Sequence, residues 1–120
     1  MKALPVSVIL FMLLVFVIIT NAIFVNNTAN EINDLASRIS DADDREIIIN
    51  EINTIWGSRR PFLALSTSTD ILDNVTYTVI CLNKAYEHSN ENDIQKYSAI
   101  LSDQAHSLKR AETITIESVL

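Results

Sequence analysis

Two histidines and one cysteine are the side chains of this sequence best suited to metal binding or nucleophilic chemistry. In the helical hairpin predicted for this region, His88 lies at the turn and His106 lies about a dozen residues along the returning helix, roughly 18 Å away. The two imidazoles are therefore not expected to share a metal ion. Cys81 has no partner for an intramolecular disulfide, and its place beside the apolar face of a predicted helix indicates a plain buried thiol.

The acidic and hydroxyl side chains form no recognised catalytic pattern. Asp41, Asp43 and Asp44 lack the spacing and the glycine of a calcium-binding loop, so we interpret them as a solvated helix start. The serines and threonines occur without a Gly-x-Ser-x-Gly turn, and the single glycine cannot build a phosphate-binding loop. We therefore predict that the protein is not an enzyme and that it holds no cofactor and no metal.

Four residues between positions 56 and 62 are the candidates for contact with a partner. Trp56 and Phe62 are aromatic side chains of the kind that anchor protein interfaces, although the pattern favours their being the largest residues of a core. Arg59 and Arg60 could meet an acidic partner or pair with the protein's own carboxylates. Nucleic acid is disfavoured as a partner by the formal charge of −6, since phosphate binding requires a basic face.

The N-terminal segment is the feature that places the protein. No charged residue occurs from Ala3 to Val25, and a helix of that length covers the ~30 Å hydrocarbon core of a membrane. Lys2 precedes the segment, whereas Glu31 and Asp34 are the first charges after it. This asymmetry predicts a cytoplasmic N-terminus and an extracytoplasmic domain on the other side of the cell membrane.

A cleaved signal peptide is the competing interpretation of the same segment. Its apolar part has a suitable length, and Thr20-Asn21-Ala22 is an acceptable small-residue cleavage site. Apolar residues resume at Ile23-Phe24-Val25, however, which lengthens the segment toward a full span. We therefore predict a transmembrane signal-anchor helix over residues 1–25.

The remaining sequence predicts a helical domain. A single glycine and two prolines are too few for the many turns of a sheet protein. Apolar residues recur instead at intervals of three and four, most regularly from Leu72 to Tyr86. The predicted helices are one through Ile32 and Ile39 that continues from the membrane segment, a second from about Asp44 to Ser58, a third from about Asp70 to His88, and a fourth from about Ile94 to Ala111.

Breaks in this pattern define the boundaries. Gly57 and Pro61 are expected to end the second helix, because proline cannot donate a backbone hydrogen bond. A polar turn of about four residues, Ser89-Asn90-Glu91-Asn92, predicts an antiparallel hairpin of the third and fourth helices. Residues 113–120 are β-branched and alternating but have no partner strand, so we expect an extended end or a frayed helical turn.

The predicted architecture is therefore all-α. A transmembrane helix over residues 1–25 is followed by an extracytoplasmic domain over residues 26–112, with three to four helices in antiparallel hairpins, and by a tail over residues 113–120. Whether these helices form a closed bundle or an open, repeat-like array is not determined by the pattern.

The layout resembles the DUF4363 family of small membrane-anchored proteins, mostly from spore-forming and related Gram-positive bacteria. The likeness rests on the N-terminal anchor, on Ile55-Trp56, on Pro61-Phe62 and on Thr113-Ile114-Thr115-Ile116-Glu117. Ser66-Thr67-Ser68-Thr69-Asp70 departs from it, because a His-containing acidic phrase often starts the third helix in that family. The resemblance implies an anchor, a helical fold and a bacterial envelope location, and it implies no catalytic residues.

We interpret the chain as a membrane-anchored helical interaction or accessory protein whose extracytoplasmic domain associates with another envelope protein or with a second copy. The alternative is a helical sensor or binding domain for a small apolar ligand, secreted after signal-peptide cleavage. The two hypotheses differ in structure, because association needs an exposed apolar patch whereas a ligand needs a cavity between the helices.

Overall fold

The structure, a computed structural model, describes residues 3–39, 43–65 and 67–119, with the side chains within these ranges from residue 4 to residue 110. Four helices account for almost all of them, and no strand occurs in these ranges. The helices are α1 (Ala3–Arg38), α2 (Arg45–Leu63), α3 (Thr69–Glu87) and α4 (Glu91–Val119). The predicted all-α class, with a long apolar helix at the N-terminus, is confirmed.

Helix α1 is a single uninterrupted helix of 36 residues that contains both the apolar segment and the first helix of the domain. At 1.5 Å per residue it is about 54 Å long, which explains most of the 67 Å length of the molecule. The polar interval at residues 26–28 does not break it. The hydroxyl of Thr28 donates to the carbonyl oxygen of Phe24 at 2.9 Å, so this buried polar group is satisfied within the helix.

The four helices form a closed antiparallel bundle. Each helix packs against two others, α1 with α2 and α4, and α3 with α2 and α4, which is the neighbour pattern of an up-down-up-down bundle. The contact between α1 and α4 is the most extensive and that between α2 and α3 the least. The fully buried aliphatic core comprises Val25, Ile32, Ile39, Ile48, Ile52, Leu63, Leu72, Val75, Leu82, Leu101 and Leu108.

Helix α2 passes through Pro61 and ends at Leu63, so the prediction that it ends near Ser58 is wrong. Pro61 has no backbone N–H, so the carbonyl oxygen of Gly57, four residues earlier, receives no helical hydrogen bond from it. Both residues are exposed, so water can reach that carbonyl. Burial of Leu63 and the contacts of the neighbouring arginines described below outweigh the loss.

Helices α3 and α4 form the predicted hairpin. Ser89 adopts a left-handed backbone conformation with φ 53°, and the side-chain oxygen of Asn90 accepts from the backbone N–H of Asp93 at 3.2 Å, which caps the start of α4. The expected end of the fourth helix near Ala111 is wrong, because α4 continues to Val119. Residues 113–119 of the predicted tail are thus helical. Leu120, Asp41 and Ala42 lie outside the described residues.

Candidate partner-contact site

Trp56, the largest residue of the candidate site, is a core residue of the bundle. Its side chain is only 4% exposed, and its indole N–H donates to the hydroxyl oxygen of Thr76 on α3 at 2.9 Å. A buried indole needs such an acceptor because an unpaired donor in the interior is costly. In this conformation Trp56 joins α2 to α3 and offers no surface to a partner.

Arg60 contacts α3 at the same threonine. Its Nε donates to the hydroxyl oxygen of Thr76 at 3.1 Å, and its Nη2 donates to a carboxylate oxygen of Asp73 at 2.9 Å. The Thr76 hydroxyl in turn donates to the carbonyl oxygen of Leu72 at 2.9 Å. One hydroxyl therefore uses its donor and both acceptor positions to hold Trp56 and Arg60 against α3.

Arg59, the preceding residue, reaches in the other direction, to α1. Its Nη1 lies 2.7 Å from a carboxylate oxygen of Glu31 and donates to the buried hydroxyl of Thr28 at 3.3 Å. Its guanidinium carbon also lies 5.9 Å from the ring centroid of Phe24, within the range of a cation–π contact. Consecutive arginines thus hold the end of α2 to its two neighbours, each through one carboxylate and one threonine.

The seam between α2 and α3 is polar along its length. Asn53 and Asn83 exchange side-chain amide hydrogen bonds of 2.9 and 2.8 Å, one in each direction. This pair lies nearer the start of α2 than the contacts of Trp56 and Arg60. Reciprocal pairing of this kind is satisfied only when the two asparagines face each other, so it defines the register of the two helices.

Phe62 is the one member of the candidate site with a freely exposed side chain. It is 61% exposed, and its ring meets that of Phe24 edge to face, with 6.3 Å between the centroids. Leu65, in the turn that follows α2, is 83% exposed. We call the two exposed side chains Phe62 and Leu65, at the end of α2, the apolar corner. An open groove of about 320 Å³ lies between the apolar corner and the apolar half of α1. The groove is lined by Phe16, Val17, Thr20, Asn21, Phe24, Phe62 and Leu65.

A second exposed apolar area lies on the side of the bundle, on α3. Tyr77 and Ile80 are exposed there, next to Cys81 and to Tyr97 of α4. A hydrogen bond with the Cys81 thiol, followed by its charge, raises the pKa of the Tyr77 hydroxyl. The charge of Cys81, followed by a hydrogen bond, raises the pKa of Tyr97. Cys81 is half-buried rather than fully buried. Tyr77 and Ile80 lie outside the buried stripe of α3, and their place in the sequence pattern could have identified this exposed area.

The opposite end of the bundle is closed by Arg45 at the start of α2. Its Nη1 and Nη2 lie 2.5 and 2.7 Å from the two carboxylate oxygens of Glu91, and its Nε donates to the carbonyl oxygen of Ile39 at 2.9 Å. Hydrogen bonds from Arg45, then from Gln95, lower the pKa of Glu91 from 4.5 to about 2. Arg45 therefore joins α1, α2 and α4 at the end remote from the apolar segment.

The described residues offer contact surfaces rather than a reaction centre. No group of three or more His, Cys, Asp or Glu that could hold a metal ion occurs among them. His88 follows α3, His106 lies on α4, and both are exposed. Of the four candidate residues, the structure brings Arg59, Arg60 and Phe62 to one end of α2 and places Trp56 in the interior above them.

Three comparisons with known proteins identify no relative of this chain. No protein-family model matches the chain, and neither the curated proteins nor the solved structures contain a significant match to it.

Proposed function

We propose that the protein is a single-pass membrane-anchored interaction protein whose helical bundle stands on the outer face of the cytoplasmic membrane. The N-terminus is cytoplasmic, and the bundle associates with another membrane or envelope protein or with a second copy of the chain. The resemblance to the DUF4363 family agrees with this assignment and remains a prediction.

The change of environment along α1 is the observation that carries the proposal. One helix of the described chain, Leu4–Arg38, is long and apolar enough to cross a membrane. Large apolar side chains on all sides of its first half are exposed, including Leu10, Phe11 and Leu13, whereas one stripe of its second half is buried in the bundle. A helix that is apolar on every side and unpacked within its own protein is typical of a membrane span, and this supports the anchor.

Association is favoured over a small apolar ligand by the form of the apolar surface. The groove beside Phe62 is open to the outside, whereas small-molecule sites enclose most of their ligand. Tyr77 and Ile80 form an exposed area on the bundle that a partner protein could cover. The ligand-binding alternative would need an enclosed cavity between the helices.

The first experiment determines the fate of the N-terminus. The full chain with a C-terminal tag is expressed in a bacterial host, the cells are fractionated, and the product is weighed by intact mass spectrometry. We expect the full-length mass in the membrane fraction, with the tag cleaved by protease added to spheroplasts. A soluble product that has lost the residues before Ile23 would overturn the anchor.

The second experiment tests association at the exposed area of α3. A photocrosslinking amino acid replaces Tyr77 in one variant and Asn92, which is also exposed, in the control. We expect one adduct of defined mass from position 77, either a homodimer or a single heterologous product, and none from position 92. Equal, heterogeneous adducts at both positions would contradict a specific interface.

A further inference from the structure

The apolar corner lies beside α1 at the end of the anchor rather than in the middle of the bundle. Phe16, Val17 and Thr20, which face the corner across the groove, belong to the uncharged N-terminal segment. Phe24, one turn further, makes the edge-to-face contact with Phe62. The corner is therefore level with residues 16–24 of α1.

The length of the exposed part of α1 indicates where the apolar corner lies relative to a membrane. Residues 4–19, which stand clear of the bundle core, extend about 24 Å, which is shorter than the ~30 Å hydrocarbon core of a membrane. Extension to residue 23 provides the full ~30 Å, and Ile23 is exposed as this would require. The added residues lie level with the apolar corner.

We propose that the apolar corner is immersed in the outer leaflet of the membrane, with Phe62 and Leu65 among the acyl chains and the groove beside them filled by a phospholipid acyl chain. This inference rests on the proposed membrane anchor. It assigns the groove to lipid, and the exposure of Phe62 and Leu65 is then exposure to an apolar solvent.

The backbone and the charges of the corner suit such a position. The carbonyl oxygens of Arg60, Phe62 and Leu63 accept backbone hydrogen bonds from Ala64, Leu65 and Thr67, so these three carbonyls need no water. The nearest arginines, Arg59 and Arg60, are paired with carboxylates. Polar residues then follow at the start of α3, where the chain returns toward water.

The test measures membrane depth at three positions of the full-length chain. Cys81→Ser removes the native thiol, and Leu10→Cys, Leu65→Cys and Asn92→Cys, the last at an exposed position remote from the apolar corner, are each labelled with a nitroxide in phosphatidylcholine vesicles. Collisions with oxygen, which concentrates in lipid, are compared with collisions with a water-soluble nickel chelate. Helical content by circular dichroism verifies each variant, and Phe62→Cys replaces Leu65→Cys if the latter does not fold.

The three positions separate this inference from the anchor itself. We expect oxygen to dominate at positions 10 and 65 and nickel at position 92, with an oxygen-to-nickel ratio at 65 several-fold above that at 92. Nickel access at 65 with oxygen access at 10 would overturn the immersed corner and leave the anchor intact. Nickel access at 10 would overturn both.

Coverage of the corner by a second copy gives a different signature. A label at position 65 would then be shielded from both reagents, and its spectrum would show spin–spin broadening that disappears when labelled protein is diluted with unlabelled protein. That result would assign the corner to self-association and overturn its assignment to lipid.

Discussion

The two halves of α1 have the same secondary structure and opposite relations to the rest of the molecule. Residues 4–19 present large apolar side chains on every side, and almost all of these are exposed. From Ala22 onward, apolar residues are buried along one stripe, and charged residues occupy the other side. Helicity is therefore continuous, and what changes near residue 20 is whether the apolar side chains of the helix are buried within the protein.

Truncation of an apolar side chain should give the largest difference in unfolding free energy between the two halves of α1. Ile32 is fully buried, so Ile32→Ala should lower the free energy of unfolding by about 2–5 kcal/mol through lost burial and a cavity. Leu13→Ala, in the exposed half, should leave the unfolding of the bundle unchanged. Thermal or denaturant unfolding followed by circular dichroism in detergent measures both, and equal losses would contradict the comparison.

A charge in the apolar half should have the converse effect. Leu13→Arg costs about 2.5–3.5 kcal/mol at the centre of a membrane-spanning helix, so the protein should shift from the membrane to the soluble fraction. The bundle, whose described core does not include Leu13, should retain its unfolding midpoint. Leu13→Ala is the matched control for fractionation, and an Arg variant that remains fully in the membrane would contradict the assignment of this half.

The end of the bundle remote from the apolar half of α1 should respond to pH. The pKa of Glu91 is lowered to about 2, so its pairing with Arg45 stabilises the fold above pH 4.5 and is lost as the pH falls toward 2. Glu91→Gln should therefore unfold at a lower temperature than the wild type at pH 7, and the two proteins should converge near pH 2. A difference that persists unchanged at pH 2 would show that the ion pair is not its source.

Gly57 gives the smallest predicted effect, and its sign is opposite. The residue is in the interior of α2, and a Cβ placed on it meets no atom within 4 Å. Gly57→Ala should therefore stabilise the bundle by about 0.5–1 kcal/mol through helix propensity alone. The unfolding midpoint measures this, with Ser58→Ala as a control at an exposed neighbour. A destabilised Gly57→Ala variant would indicate that water at the Gly57 carbonyl matters more than propensity.

The sequence pattern predicts the helices well where local periodicity decides them. The spacing of Leu72, Val75, Val79 and Leu82 identified α3 within a residue or two of its observed bounds, and all four are buried. Pro61 misled the prediction for α2, because the end of that helix is stabilised by residues distant in sequence. The β-branched residues after Thr113 likewise favour a strand locally but occur within α4.

The contacts of the four candidate residues could not be predicted from the sequence. Arg59 and Arg60 were expected either to meet a partner or to pair internally, and the structure gives each a carboxylate on a different helix. Nothing local distinguishes two adjacent arginines, and only the bundle geometry directs one toward Glu31 and the other toward Asp73. The choice between the core and the surface for Trp56 and Phe62 depends on the same geometry.

The uninterrupted course of α1 has a mechanical consequence. Because the helix has no break between its two halves, rotation of its apolar half about the helix axis turns the bundle by the same angle. Insertion of one residue near the junction would turn the bundle by about 100° relative to the anchor and raise it by about 1.5 Å. A partner that binds one side of the apolar half of α1 therefore also determines which side of the bundle faces it. That side can be the one with Tyr77 and Ile80.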